Sequence, residues 1–372
     1  MTMKFKKPIY VTEPYLPPLK DFDVFLKKIW KSKWVTNNGQ FHQELEARLC
    51  DYLGVEYISL FSNGTVALIV GLQALNITGE VITTPYSFVA STHALWWNNI
   101  KPVFADIEPE TCTLDPQKVE AAITAETSAI LPVHIYGYPC RVNELKDIAN
   151  RNHLLLIYDA AHTFGSRYKG ESLCSFGDLS IISFHATKVF NTFERGAVVC
   201  HDPLMKERID QLKNFGFTGE TSVIETGINA KMNEFQAALG ILQLKYIDEA
   251  IANRKLVSDR YNNLLKEISG ITVMPDINGL EYNFAYFPIL IDRVKFGKTR
   301  DDVYDDLKKH NIFCRRYYYP LISQFTMYKD FKSAAQENLP VATSIAEEVL
   351  CLPIYPGLET KKLEEIVKII IA

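Results

Sequence analysis

The chain has 372 residues, 47% hydrophobic and 23% charged, with a net charge of −4 at pH 7. That is the composition of an ordinary soluble globular protein, and its charge balance offers neither a basic footprint for nucleic acid nor a polybasic patch for a membrane. The seven cysteines are odd in number, widely spaced and without a CxxC pair; they predict reduced, mostly core thiols instead of disulfides or a zinc site. The longest apolar runs, such as 67–71, fall far short of the roughly 20 residues that span a bilayer. The first ten residues carry lysines and a proline where a secretory leader would need an apolar stretch. A cytosolic protein is therefore expected.

This length exceeds what one compact core usually reaches. From residue 57 short apolar runs alternate with longer amphipathic ones. Strands are predicted at 57–60, 81–84, 102–105, 129–133 and 154–158, with helices at 65–75 and 88–98 and further helical stretches between. Such alternation implies parallel βαβ units with helices on both sheet faces, and a run like Leu154-Leu155-Leu156-Ile157 suits a strand buried on both sides. Residues 179–184 and 196–200 read instead as two strands joined by a short loop. A long helical stretch, 234–266, leads to strands at 271–274 and 284–291 and helices at 300–310 and 360–371. The expected organisation is a large, mostly parallel α/β domain over 1–245, its first 25 residues running along the surface, and a small α+β domain over 246–372.

Ligands of parallel α/β sheets gather at the carboxyl ends of strands, and three stretches stand there. In Ser62-Asn63-Gly64-Thr65 a glycine allows close backbone approach, and the following helix offers free N–H groups and a positive dipole end to a phosphate; these are also ordinary turn residues. In Tyr158-Asp159-Ala160-Ala161-His162 a strand-end carboxylate suits a pyridinium nitrogen, or simply caps the next turn. In Ser183-Phe184-His185-Ala186-Thr187-Lys188 a lysine leaves a buried-looking strand, where a neutral amine can form a Schiff base with an aldehyde; most of the 40 basic residues are surface groups. There is no GxGxxG, no complete P-loop around Gly297-Lys298-Thr299 and no HExxH, and His93, His134, His162 and His185 lack metal-ligand spacing. No metal is expected.

The order of these pieces, with Val133-His134-Ile135-Tyr136-Gly137 between them, resembles the DegT/DnrJ/EryC1/StrS sugar aminotransferases, from about residue 10 to the C-terminus. The resemblance implies the aspartate aminotransferase fold (fold type I) and pyridoxal 5'-phosphate as cofactor. It implies Lys188 as the Schiff-base lysine and proton shuttle, Asp159 paired with the pyridine nitrogen, and Phe88 stacked on the ring. Gly64, Thr65 and Ser183 would hold the phosphate, and His162, where the family usually has glutamine, would stand near the 3-hydroxyl. Asn229 would reach the phosphate of the other subunit, which implies a homodimer with shared active sites. His185, Arg195 and Tyr318 are substrate-side candidates. The family's Glu-Gly-Gly reads Glu194-Arg195-Gly196 here, and Lys231 replaces a commoner arginine.

The implied reaction moves an amino group from L-glutamate to a nucleotide-linked keto sugar. By resemblance that sugar is a 4-keto- or 3-keto-6-deoxyhexose on dTDP, with C4 favoured, destined for O-antigen or similar surface glycans. A sugar 3-dehydratase of the same fold would carry histidine in place of Lys188, and a non-catalytic sensor would have lost Lys188 or Asp159; both residues are present.

Overall fold

The computed structural model describes residues 5–372. Two helices precede the first long strand, α1 (Leu19–Ser32) and α2 (Gln40–Leu53). Seven strands then form the large sheet: β1 (Tyr57–Phe61), β2 (Glu80–Thr83), β3 (Lys101–Phe104), β4 (Thr127–Leu131), β5 (Leu155–Asp159), β6 (Leu179–Ser183) and β7 (Gly196–Cys200). Their spatial order is β1-β7-β6-β5-β4-β2-β3. The strands pair in parallel from β6 to β3, while β7 runs antiparallel to both β1 and β6. Residues 184–195, between β6 and β7, form no helix, so the chain returns without the crossover that a parallel pairing requires.

Helices α3 (Gly64–Ala74), α4 (Ala90–Trp97), α5 (Pro116–Ala122), α6 (Val142–Asn152), α7 (Pro203–Leu212) and α8 (Glu234–Gln243) cover the sheet. Side chains alternate between two cores, as strand geometry demands. Ile58, Leu60, Ile182, Ala197 and Val199 pack with Leu45, Leu49 and Leu239. Phe61, Ile181, Leu179 and Val198 pack with Leu68, Leu72 and Ile209 on the other face. The apolar strands are thus buried on both sides, as their sequences imply.

A second sheet is antiparallel, β8 (Ile271–Val273), β9 (Phe287–Ile291) and β10 (Val349–Leu352) in the order β8-β9-β10. The predicted helix 234–266 is two helices, α8 and α9 (Ile247–Leu265), broken across 244–246. Helix α9 joins both units: Ile247 packs in the large core, and Val257, Tyr261 and Leu265 pack in the core of the second sheet. The N-terminal strand Ile9–Tyr10, grouped by sequence with the large unit, pairs in parallel with Ile312–Phe313 and buries Ile9 in that second core. Strand β9 starts later than residue 284 because Phe284 adopts a left-handed backbone, φ 53°, and the Asn283 side chain accepts the Ala285 N–H at 3.0 Å. All seven cysteines are free and six are buried. No helix among the described residues is long and apolar enough to cross a membrane.

Candidate active site

The carboxyl ends of β1, β2, β5 and β6 open on one cavity of about 300 Å³. Gly64, Thr65, Phe88, Asp159, His162, Ser183, His185, Lys188 and Tyr318 all line it, so nine of the residues singled out from the sequence meet across more than 250 positions of chain. Arg195 and Asn229 do not line it.

The floor on one side is the start of α3. Asn63 caps the helix by accepting the Val66 N–H at 2.8 Å, which leaves the N–H groups of Gly64 and Thr65 without intrahelical partners. A Cβ at Gly64 would stand 3.3 Å from the Ser183 Cβ, and one at Gly196 only 2.6 Å from the Gly64 nitrogen. Glycine at these two places lets β7 and β6 press against the loop and leaves an anion-sized cradle of N–H groups with the Ser183 hydroxyl beside it.

Asp159 ends β5 with its carboxylate buried. Ser91 of α4 donates to Oδ2 at 2.7 Å, and the Ala161 N–H donates to Oδ1 at 3.1 Å. Burial pushes this carboxyl up, against the pull of those two hydrogen bonds and of Lys188. Burial likewise pushes the Lys188 amine down to about 8, partly opposed by Asp159. Lys188 is therefore largely free of the solvation that keeps surface lysines charged. Its Nζ donates to the Tyr286 hydroxyl at 3.3 Å.

His162 is buried, and burial holds its imidazole well below the ordinary range, hence neutral at pH 7. The Tyr136 N–H donates to its Nδ1 at 3.1 Å, which assigns the proton to Nε2, 3.2 Å from the Tyr318 hydroxyl. Phe88 is 59% exposed, an apolar face presented to the cavity instead of to the core. His185 sits at the rim, its Nδ1 2.8 Å from the Thr187 hydroxyl and its Nε2 3.7 Å from Glu194.

Arg195 answers the question raised by the missing glycine. It is not among the described residues with positive φ, so the backbone needs no glycine there. Its guanidinium donates to the Ser62 and Glu194 carbonyl oxygens at 2.9 and 2.7 Å, behind the phosphate-type loop and away from the cavity. Asn229 lies exposed in a segment whose Ala230 carbonyl accepts the Ser62 N–H at 2.7 Å. Next to it, Lys231 donates to Asn214 at 2.7 Å.

Sequence reading missed Ser91, Tyr286 and Tyr317. Ser91 lay inside the predicted helix 88–98, one turn from Phe88, which was a usable signal. Tyr286 and Tyr317 come from the second unit, and nothing local marks them. Tyr136 and Tyr86 support them from below: both hydroxyls donate to the Tyr317 carbonyl, Tyr86 at 3.0 Å. Of the remaining histidines singled out, His93 bonds Tyr328 and His134 stacks in the core on Tyr158. No group that could hold a metal is found among the described residues.

These residues fit pyridoxal phosphate: a desolvated amine, a buried carboxylate across the cavity, an aromatic face, and a cradle for a phosphate. The comparisons agree. The dTDP-4-amino-4,6-dideoxy-D-glucose transaminase of Escherichia coli is 51% identical over 368 residues, 98% of each chain, and that of Shigella dysenteriae is 50% identical, covering 98% of this chain and 99% of its own. The structure of DesI with its TDP-sugar product matches with a TM-score of 0.94 at 34% identity, over 99% of this chain and 93% of that one. A model of the DegT/DnrJ/EryC1/StrS aminotransferase family matches residues 20–371. The chain belongs to that family, as a pyridoxal-phosphate-dependent aminotransferase of fold type I.

Proposed function

We propose that the protein transfers the amino group of L-glutamate to C4 of dTDP-4-keto-6-deoxyglucose, forming dTDP-4-amino-4,6-dideoxyglucose for surface glycans such as O-antigen. The relatives at 51% and 50% identity carry that product in their names. The observation that carries the reading is the joint placement of Lys188 and Asp159 in one cavity, the amine depressed to about 8 and the carboxylate buried opposite.

When bound, pyridoxal phosphate supplies an aldehyde for amines and a cationic ring that accepts the electron pair left when a proton leaves a substrate carbon. The protein does the rest. The first-turn N–H groups of Gly64 and Thr65, with the Ser183 hydroxyl, would hold the phosphate. The Asp159 carboxylate would pair with the ring nitrogen and favour its protonated form, and the Phe88 ring would stack on one face. The His162 imidazole, its proton held on Nε2 by the Tyr136 N–H at the other nitrogen, would stand on the hydroxyl side of the ring, with the Tyr318 hydroxyl beside that Nε2. The Lys188 amine, neutral in part near pH 8, takes the proton from Cα of glutamate and in the second half gives one to C4 of the sugar. Tyr318 and His185 line the substrate side.

The reading includes a cytosolic homodimer with shared sites. Asn229 is exposed, and Phe215, Phe217, Val223, Ile224 and Ile228 around it are exposed apolar groups, the kind of surface that a second copy covers.

The test is incubation with L-glutamate and a panel of nucleotide keto sugars, with products identified by mass and NMR. The expected product is the dTDP-linked 4-amino-4,6-dideoxyglucose. Amination at C3, or of a GDP- or UDP-sugar in preference, would replace this substrate, and no amination of any sugar would overturn the reading.

A further inference from the structure

We propose that Tyr286 is a positioning residue for the reaction, holding the free Lys188 amine in place and setting how readily it keeps its proton. This rests on Lys188 being the reacting amine.

Tyr286 comes from the second unit, one residue ahead of β9, while Lys188 follows β6 of the large sheet. Its hydroxyl is the one hydrogen-bond partner that Nζ has among the described residues, at 3.3 Å. The ring is fixed independently of that bond. It lies 4.8 Å from the His162 ring, 5.6 Å from Tyr136 and 6.0 Å from Tyr317, and its backbone carbonyl accepts the Tyr282 hydroxyl at 3.2 Å. The segment is turned toward the cavity by Asn283. That buried side chain donates to the His162 and Phe164 carbonyls at 2.8 and 3.0 Å and accepts the Ala285 N–H. One asparagine thus ties the backbone that presents His162 to the backbone that presents Tyr286.

The chemistry follows from what else faces Lys188. The Asp159 carboxyl lines the same cavity, with its two oxygens accepting from Ser91 and the Ala161 N–H. His162 is neutral, with Nδ1 occupied by the Tyr136 N–H. Tyr317, Tyr318, His185 and Glu194 line the same cavity without a hydrogen bond to Nζ. Burial raises the Tyr286 hydroxyl above its ordinary range, so it stays protonated near neutral pH and does not act as the base there. It can accept from the ammonium form of Lys188 and donate to the neutral form. The bond to the charged form is the stronger of the two, so Tyr286 favours retention of the proton that Lys188 must deliver to the sugar carbon. It also confines a four-carbon side chain with many rotamers to one direction, and small misplacements of a reacting group are costly in rate.

Tyr286→Phe removes the hydroxyl and keeps the ring that packs on His162 and Tyr136. Two measurements test it. In the cofactor-free protein, the pH dependence of Lys188 labelling by acetic anhydride, read by peptide mass spectrometry, gives the midpoint of its amine without substrate or turnover. The expected midpoint in the variant lies below that of the wild type by about half a unit to one unit, the difference between hydrogen bonds to charged and to neutral partners. In the loaded enzyme kcat is expected to fall by about tenfold or more with KM for the nucleotide sugar within about twofold, the pattern of an interaction that matters in the transition state. A midpoint equal to that of the wild type would overturn the proposal whatever the turnover. A lowered midpoint with unchanged kcat would overturn the positioning role. Neither result would touch the substrate assignment, which is tested on the wild-type enzyme.

Discussion

Ser91 Oγ donates to Asp159 Oδ2 at 2.7 Å, with both residues buried. The same hydroxyl lies 3.0 Å from the Ser87 hydroxyl, so helix α4 and the turn before it hold the carboxylate from one side. Ser91→Ala strips a buried charged acceptor of one donor, which costs about 2 kcal/mol. Because that bond pulls the Asp159 carboxyl down, its loss raises the carboxyl further. The expected result is a lower melting temperature and an acid limb of the kcat profile moved to higher pH, checked by calorimetry and by pH-dependent turnover. An unmoved acid limb would separate Ser91 from the chemistry of Asp159.

Lys188 is destabilising to the cofactor-free fold at neutral pH. Its amine falls from an ordinary value of 10.5 when unfolded to about 8 when folded. Between those values the unfolded chain binds more protons than the folded one, so stability rises with pH there, and below about 8 the whole cost is present. Lys188→Met should therefore stabilise the cofactor-free protein at pH 7 by at most about 3 kcal/mol, read as a higher melting temperature. The gain should shrink toward pH 10. A variant less stable than wild type at pH 7 would contradict the burial argument.

Asp159→Asn keeps shape and hydrogen bonding and removes the charge. Losing one charge-assisted partner in a desolvated site should cost on the order of 3 kcal/mol, about a hundredfold in single-turnover rate, while the melting temperature changes little. Near-normal turnover with a lowered melting point would reduce Asp159 to a turn cap.

Asn229 sits outside the cavity of its own chain. If it completes the site of a second copy, Lys188→Ala and Asn229→Ala chains are each nearly inactive alone, and mixing them restores up to about a quarter of wild-type activity through hybrids with one intact site, the share expected when half of the dimers are hybrid. Confirmed hybrids without recovery would place each site within one chain.

The sequence patterns that repeat locally were legible: the βαβ alternation, the buried strands, and the strand-end positions of Gly64, Asp159 and Lys188, because each of these depends on neighbours within about a dozen residues. Three kinds of feature were not. The N-terminal strand at Ile9–Tyr10 finds its partner at Ile312–Phe313, 303 positions away in register, and two residues of strand carry no periodicity. The break of the helix falls at Leu244-Lys245-Tyr246, where neither glycine nor proline stands, while the one glycine of the run, Gly240, lies inside α8. Tyr286 and Ser91 take their roles from Lys188 and Asp159, contacts 98 and 68 positions apart, and tyrosine and serine occur too widely to signal such contacts by themselves. Arg195 shows the opposite limit: a departure visible in sequence whose consequence, a guanidinium tied to Ser62 and Glu194, only the packing reveals.

Lys188, five residues beyond the end of β6, is the amine expected to carry the cofactor. Borohydride reduction makes a Schiff base permanent, so treatment of the yellow, loaded enzyme followed by proteolysis and mass spectrometry locates the attachment directly. One modified peptide is expected, containing Lys188, and none from the Lys188→Ala protein. Attachment at any other lysine in the wild type would contradict it.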